Sequence, residues 1–384
     1  MEVRGRGKAG SYPNANGWRE QRMRQVRPVV MRAGMAIALA LVLFAGAGPG
    51  SGWAQSPSTV AQIAMYKGAD RQARLEAGAQ REGRLTLYSS LNLEESQPII
   101  EAFTKKYPFI RTEIYRASGE DVALKLITEY RGRKFLADVL ETTGVDVAKV
   151  LKEGFLQQFF SPRAGSLPRA AKDSKGLWVM TRANMIVLGF NTRLVPDAEV
   201  PKTYDDLLNP KWKGKMSLEA EDQIWLATLW EFWGKAKARE YFTRLGQQAL
   251  TVRKGHTVLA ELIVDGEIPL SPNIYNHRPD RMRRRGAPID WLPLIPVVAV
   301  PHMISLPKNA TNPHAAMLWI DFVLSKEGQT ELAKQGRVPI HPLVAADPPR
   351  LNTGFRFITL DPMKFLDKFD FYNRLWEELL IKPR

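Results

Sequence analysis

The chain has 384 residues, of which 45% are apolar and 25% charged, an ordinary globular composition and enough length for two domains. It has no cysteine, which excludes disulfides, thiolate nucleophiles and Cys-based metal sites together. The formal net charge is +15, but the first 54 residues carry eight Lys and Arg against two Glu, so 47 basic and 38 acidic residues, +9, remain beyond them.

Arg22, Arg24, Arg27 and Arg32 precede the apolar run MAIALALVLFAGAG at 35–48, and Gly52-Trp53-Ala54 follows it. A basic segment, a short apolar segment and a small-x-small site spell a secretory signal peptide, with cleavage expected after Ala54 and a periplasmic destination. The apolar run is shorter than the roughly 20 residues that span a bilayer. The tail ahead of Arg22 has no hydrophobic period, which points to Met23 or Met31 as the start, and without cysteine no lipid anchor of the lipobox type can form. Export argues against nucleic acid as the partner of the remaining positive charge, and no aromatic-interleaved basic motif or recognition helix accompanies it; an anionic ligand is the expectation.

From Gly83 the chain alternates strand and helix. RLTLYSSLN predicts a strand ending in small hydroxyl residues, followed by a helix over EESQPIIEAFTKKY, where Ile99, Ile100, Phe103 and Tyr107 form one apolar stripe. IRTEIYRAS is a second strand, Ser118 caps the helix DVALKLITEYRGR, and the strand FLADVLETT leads into VDVAKVLKEGFLQQF. This order predicts a parallel sheet covered by helices. WVMTRANMIVLGFNTRLV is extended. In PKTYDDLLNPKWKGKM, residues 201–216, Pro201 stops a strand, Thr203 caps a short helix, Asp205 and Asp206 favour its positive end, Pro210 ends it, and Trp212 goes to a core. A strand KMSLE, a loop AEDQ, the helices IWLATLWEFWG, KAREYFTRLGQQA and GHTVLAELIVDG with Gly266 just past the end of the last, and the strand EIPLSPNIYN follow. The extended IDWLPLIPVVAVPHMISL then crosses back to a helical pair, NPHAAMLWIDFVLSKEGQTELAKQG, broken at 325–328.

Several of these segments resemble one family in one order: LTLYSSLNLEESQPIIEAFTKKYP, LADVLETTGVDVAKVLKEGFL, FNTRLVPDAEVPKTYDDLLNPKWKGKM and FVLSKEGQTELAKQGRVPI. Together they are similar to bacterial periplasmic solute-binding proteins of ABC importers, of the ferric-ion-binding type, over most of residues 80–342. The resemblance implies the type II fold, two α/β lobes joined by a two-stranded hinge, with ligand bound in the cleft between them and delivered to an inner-membrane ABC permease. It implies a monomer that binds without catalysis and needs no cofactor. The expected lobes are 80–180 with 305–384, and 190–292, joined by crossovers at about 179–192 and 291–306.

Ligands of open α/β sheets sit beyond the carboxyl ends of strands, against helix N-termini. Candidate binding residues are therefore Ser89, Ser90 and Asn92 after the first strand, Thr142 and Thr143 after the third, and Asp222 with its neighbours Glu219 and Gln223; each can also serve as a plain helix cap. Arg182, at the first crossover, is placed to reach a carboxylate or phosphate. Tyr275 and His277 lie where ferric-binding relatives carry adjacent tyrosines that ligate iron. Only one tyrosine stands here, Asn92 takes the position of the relatives' histidine, and their carboxylate ligand falls near Thr143. A hard trivalent ion needs several anionic oxygens, so a small anion or a chelate carrying its own oxygens is expected rather than the bare ion. The five histidines show no HxxxH or HExxH spacing, and no metal site is read from them. The arginine-rich run RPDRMRRRG, 278–286, could attract an anion or guide lobe docking, and reads first as a solvated basic helix face. Two other roles use the same lobes: an exported α/β enzyme, and a ligand sensor for a membrane receptor. No nucleophile elbow, zinc signature or Gly-rich phosphate loop supports the first.

Overall fold

The computed structural model describes residues 59–382, and the leader expected over 1–54 lies outside them. Helices α1 (Val60–Met65) and α2 (Arg71–Glu82) precede the alternating β1 (Arg84–Ser89), α3 (Leu93–Lys106), β2 (Arg111–Arg116), α4 (Gly119–Arg131), β3 (Val139–Thr143) and α5 (Gly144–Lys152). β1 pairs in parallel with β2 and with β3, Leu87 standing opposite both Ile114 and Val139. Ser118 accepts a hydrogen bond from the Asp121 amide and caps α4, so the parallel unit forms from the residues whose pattern predicts it.

A two-residue strand, β4 (Leu156–Gln157), leads to β5 (Val179–Asn191), then β6 (Ser217–Glu219), α6 (Gln223–Trp233), α7 (Lys235–Gly246), β7 (Thr251–Arg253), α8 (His256–Asp265), β8 (Leu270–Tyr275), α9 (His277–Arg284), β9 (Ile289–Leu292) and β10 (Val297–Pro307). The chain ends with α10 (Pro313–Leu324), α11 (Lys326–Lys334), β11 (Val338–Pro339), β12 (Phe357–Ile358), α12 (Pro362–Asp367) and α13 (Phe369–Trp376). The strand order in the main sheet is β11-β5-β10-β3-β1-β2, with β8 and β9 paired to β5, and β6 pairs with β7 in a separate small sheet.

β5 and β10 run antiparallel from Ile186↔Val298 to Val179↔Ile304 and are buried along almost their whole length. Side chains alternate across a strand, so a strand covered on both faces must be apolar at nearly every position. In β5, Ile186, Leu188 and Phe190 enter one apolar cluster with α6, while Ala183, Met185 and Val187 enter another with α8. The polar residues of this strand, Thr181, Arg182, Asn184 and Asn191, are buried too, and Arg182 and Asn184 face the site described below.

Residues 201–216 form two 3-10 turns, Asp205–Leu208 and Pro210–Trp212, instead of the single short helix expected. Thr203 Oγ1 accepts from the Asp206 amide at 3.2 Å while Asp206 Oδ2 accepts from the Thr203 amide at 2.9 Å, a reciprocal cap. Tyr204 donates its hydroxyl to the Pro296 carbonyl at 3.0 Å, and Trp212 is buried. At the C-terminal end, Tyr372, Leu375 and Trp376 of α13 share a core with Trp225 and Trp230 of α6. Trp376 is 1% exposed. The Trp376→Ala variant is expected to lose about 3–5 kcal/mol of unfolding free energy, measured by urea denaturation, because it leaves a large cavity where the C-terminus closes the core.

Candidate functional site

A cavity of about 290 Å³ opens where the carboxyl ends of β1, β3, β6 and β8 meet the first turns of α3, α4, α5, α6, α8 and α9. Helix N-termini present unpaired N–H groups and the positive end of the helix dipole, so six of them around one cavity favour negative charge. Of the residues expected at the site, Ser90, Asn92, Thr143, Arg182, Asp222, Tyr275 and His277 line this cavity. Ser89 and Thr142, expected there too, do not line it. Each precedes a lining residue by one position, and the pleat turns it into the protein, where both are fully buried. Ser89 Oγ points at Glu141 at 3.3 Å and accepts from the Leu91 amide at 3.1 Å. Thr143 also caps α5 through the Asp146 amide, so capping and cavity lining coexist there.

One side of the cavity is a continuous buried polar network. Arg182 bonds to Glu141, which also accepts from the Thr181 hydroxyl at 2.7 Å. A second guanidinium nitrogen of Arg182 lies 2.9 Å from His302 Nδ1 and Asn184 Nδ2 lies 2.9 Å from His302 Nε2, and a neutral imidazole accepts from one of these two donors. Asn184 Oδ1 accepts from Arg337 at 3.2 Å, and Arg337 reaches His277 Nδ1 at 3.1 Å and Glu95. Glu95 is fully buried and has Arg281 at 3.0 Å and Arg278 at 3.7 Å as further partners. Burial alone would raise the Glu95 pKa, but Arg337, Arg278 and Arg281 hold it below the usual value. Arg337 is pushed down to about 9, by burial first and then by Arg182 and Arg278 against the attraction of Glu95. Arg116, at the end of β2, completes the basic side; it donates to Asn92 and, among the described residues, pairs with no carboxylate.

Sequence reasoning missed Arg337, His302, Asn184 and Arg116, and met Arg278 only as part of the arginine run beside His277. The arginine run at 278–286 carries a signal that was misread: Arg278 and Arg281 turn inward onto Glu95, and Arg283 and Arg284 reach Asp280. Only the distant Glu95 reveals that this helix face is not simply solvated.

The other side is acidic. Glu219, Asp222 and His256 each aim a donor atom at the others within 4.8 Å, although nothing in the histidine spacing announces it. Gly255, at φ +99°, lets the chain turn into α8 and donates its amide to Glu219 Oε1 at 2.8 Å. Glu219 Oε2 accepts from the Glu221 amide at 2.6 Å, and Asp222 Oδ2 accepts from Asn273 at 3.1 Å. Burial pushes both carboxyls up, Asp222 well above its usual value. The His256 ring stacks on Tyr275 with centroids 3.5 Å apart. Burial lowers the His256 pKa to about 4, and burial together with Asp222 and Glu219 raises that of Tyr275 well above 10, so at neutral pH the first is an imidazole and the second a phenol.

Two tests follow from the buried network. Glu95→Ala leaves Arg337 buried without its carboxylate and is expected to cost about 3–5 kcal/mol in urea unfolding. His302 has its pKa held well below 6.5 by burial and then by Arg182 and Arg337. The unfolded chain therefore takes up a proton as pH falls below about 6.5 while the folded chain does not, and stability contributed by this residue is lost on acidification from there down to its folded pKa. Glu219 and Asp222, with raised pKa values, act with the opposite sign. Comparing the wild type with His302→Asn isolates the histidine: the variant's urea midpoint is expected to fall less between pH 7 and pH 5.

Residues 137–365 match the family model described as bacterial extracellular solute-binding protein. The chain is 23% identical over 290 residues to the major ferric iron-binding protein of Neisseria gonorrhoeae, covering 71% of this chain and 86% of that one. It is 24% identical over 273 residues to the putative 2-aminoethylphosphonate-binding periplasmic protein of Salmonella typhimurium, covering 66% of this chain and 77% of that one. In fold it is similar to the periplasmic binding protein AfuA of Actinobacillus pleuropneumoniae, solved with fructose-6-phosphate bound, at a TM-score of 0.69 and 22% identity over 79% of this chain and all of the other. The family model covers more than half of the chain, including both long strands: this chain belongs to the bacterial extracellular solute-binding proteins, two-lobed α/β proteins of the type II periplasmic binding fold.

Proposed function

We propose that the chain is the periplasmic solute-receiving subunit of an ABC importer, and that it closes as a monomer around a small anionic solute and hands it to a permease. The observation that carries this reading is the convergence of Arg116, Arg182, Arg278 and Arg337 on one side of the cavity, where, among the described residues, Glu95 and Glu141 are the carboxylates paired with them. These guanidiniums repel one another: Arg116 and Arg281 act against Arg278, and Arg182 and Arg278 against Arg337. A phosphate, phosphonate or carboxylate between them relieves that repulsion and accepts forked hydrogen bonds. The phosphonate in the printed name of the Salmonella relative is a ligand of this class.

In the same reading the crossovers at 179–192 and 291–306 are the hinge between a lobe built on 80–180 with 305–367 and a lobe built on 190–292. The packing of α13 on α6 supports placing 369–376 against the second lobe, while α12 stays against α5 through Lys152 and Asp367 at 2.7 Å. A ferric chelate is the second reading, favoured by the Tyr275 hydroxyl in the cleft, whose phenol form suits contact with a ligand that brings its own anionic oxygens.

Thermal unfolding against a panel of phosphates, phosphonates, carboxylates and ferric citrate tests both. A cognate ligand at a hundredfold its Kd adds about 2.7 kcal/mol and raises the melting temperature. Arg116→Ala and Arg278→Gln are expected to weaken an anion roughly 10- to 100-fold by calorimetry, the loss of one charge-assisted hydrogen bond each. A panel without a stabilising anion, or an affinity indifferent to both substitutions, overturns the anion reading.

A further inference from the structure

We propose that Glu219, Asp222 and His256 bind one divalent first-row transition-metal ion on the side of the cleft opposite the arginines. Asp222 Oδ1 and His256 Nε2 are 3.5 Å apart, too far for a good hydrogen bond. Two ligands on one ion with bonds of ~2.1 Å at the tetrahedral angle stand roughly 3.4 Å apart, so the spacing is that of neighbouring ligands. All three donor atoms lie within 4.8 Å of one another, and all three residues line the cavity.

Charge supplies the second argument. Asp222 and Glu219 are each 3% exposed, and among the described residues neither has a Lys or Arg partner. Asp222 Oδ2 is satisfied by Asn273, whereas Oδ1 has no hydrogen-bond partner among the described residues and faces His256. Two adjacent buried carboxylates without a cation are costly, and a divalent ion neutralises the pair.

The surroundings hold the ligands in place as the outer shell of a metal site does. Asn273 fixes Asp222 and accepts from the Glu219 amide at 3.0 Å; the Gly255 and Glu221 amides fix the two oxygens of Glu219; Tyr275 stacks on the imidazole. One imidazole with two carboxylates suits zinc, manganese, cobalt or ferrous iron over a softer ion, and three protein ligands leave open positions. Those positions face a cavity whose other side carries the arginines, so an anion held there can complete the coordination. The inference goes beyond the anion reading and does not depend on which anion is bound.

The test titrates chelator-treated full-length mature protein with Co²⁺, followed by visible absorption, and with Mn²⁺, followed by equilibrium dialysis. One ion per chain is expected. Asp222→Asn and His256→Gln should each weaken Co²⁺ binding at least tenfold and change its spectrum, and Asn273→Ala should weaken it about tenfold by releasing Asp222. Asn273→Ala retains all three ligands, so it still reads the site if a ligand variant fails to fold. No uptake by the wild type, or uptake unchanged in these variants, overturns the proposal. So does affinity for a phosphonate that requires its ammonium group without any uptake of metal, which would make the acidic side an amine site. Titration with inorganic phosphate alone separates the two readings: phosphate binding without metal uptake defeats only the metal site, and metal uptake without affinity for any anion defeats only the anion reading.

Discussion

A carboxylate with no access to water organises this protein. Glu95 sits at the first turn of α3, fully buried, and the cost of stripping a charge of its hydration is several kcal/mol unless partners replace the lost water. Arg337, just before β11, and Arg278 and Arg281, on α9, are those partners. Three segments far apart in sequence therefore have to meet at one point. Arg337 then has donors left over for Asn184 and His277, and His302 lies against both Asn184 and Arg182, which is bound to Glu141. Satisfying one buried charge in this way spreads into a network that runs from α3 across the two long strands to β3.

That network explains why the basic side of the cleft can be crowded and still ordered. Arginine side chains that must be gathered on binding cost entropy each time, whereas side chains already locked by neighbours cost little more. Arg182 and Arg337 are locked, while Arg116, which among the described residues bonds to Asn92 alone, has more freedom to adjust. The acidic side follows the same logic with backbone amides: Gly255 and Glu221 orient Glu219, and Asn273 ties β8 to both acidic residues. The cavity is thus bipolar, and each pole is built from secondary-structure ends whose N–H groups are already aimed at it.

Much of the fold was legible in the sequence because its signals are local. The stripe Ile99, Ile100, Phe103 is buried as its spacing predicts, Ser118 caps α4, Gly266 ends α8 in the left-handed region, and the two apolar crossovers are the long paired strands. The cleft loops could be found because strand ends and helix starts coincide there. What sequence could not resolve was a single step of the pleat: Ser90 and Thr143 reach the cavity, while Ser89 and Thr142 point away, and the four look alike as letters. The buried partners were illegible for another reason. Arg337 and Glu95 are 242 residues apart, and His256 meets Asp222 only after α8 and α6 have been brought side by side. Charge run and histidine spacing are local statistics, and these contacts are not local. α13 escaped for the same reason, since an amphipathic helix states that it packs but not against what.

Residues at the cavity come from both sides of the long strand pair, Arg116 and Asn92 from one and His256 and Tyr275 from the other. A ligand that touches one side has no preference between an open and a closed arrangement; only the contacts made on closing are differential, and only those shift the balance. Moving such an equilibrium from 1:99 to 99:1 takes about 5.5 kcal/mol. A hydrogen bond to a charged group contributes about 1.5–3 kcal/mol, so two or three of them gained on closure suffice. The cleft has that many donors to spare on its basic side alone. A solute too small to reach both sides would bind without closing the protein, and this makes the span of the cavity, more than the strength of any one arginine, the feature that decides which solute produces the closed form.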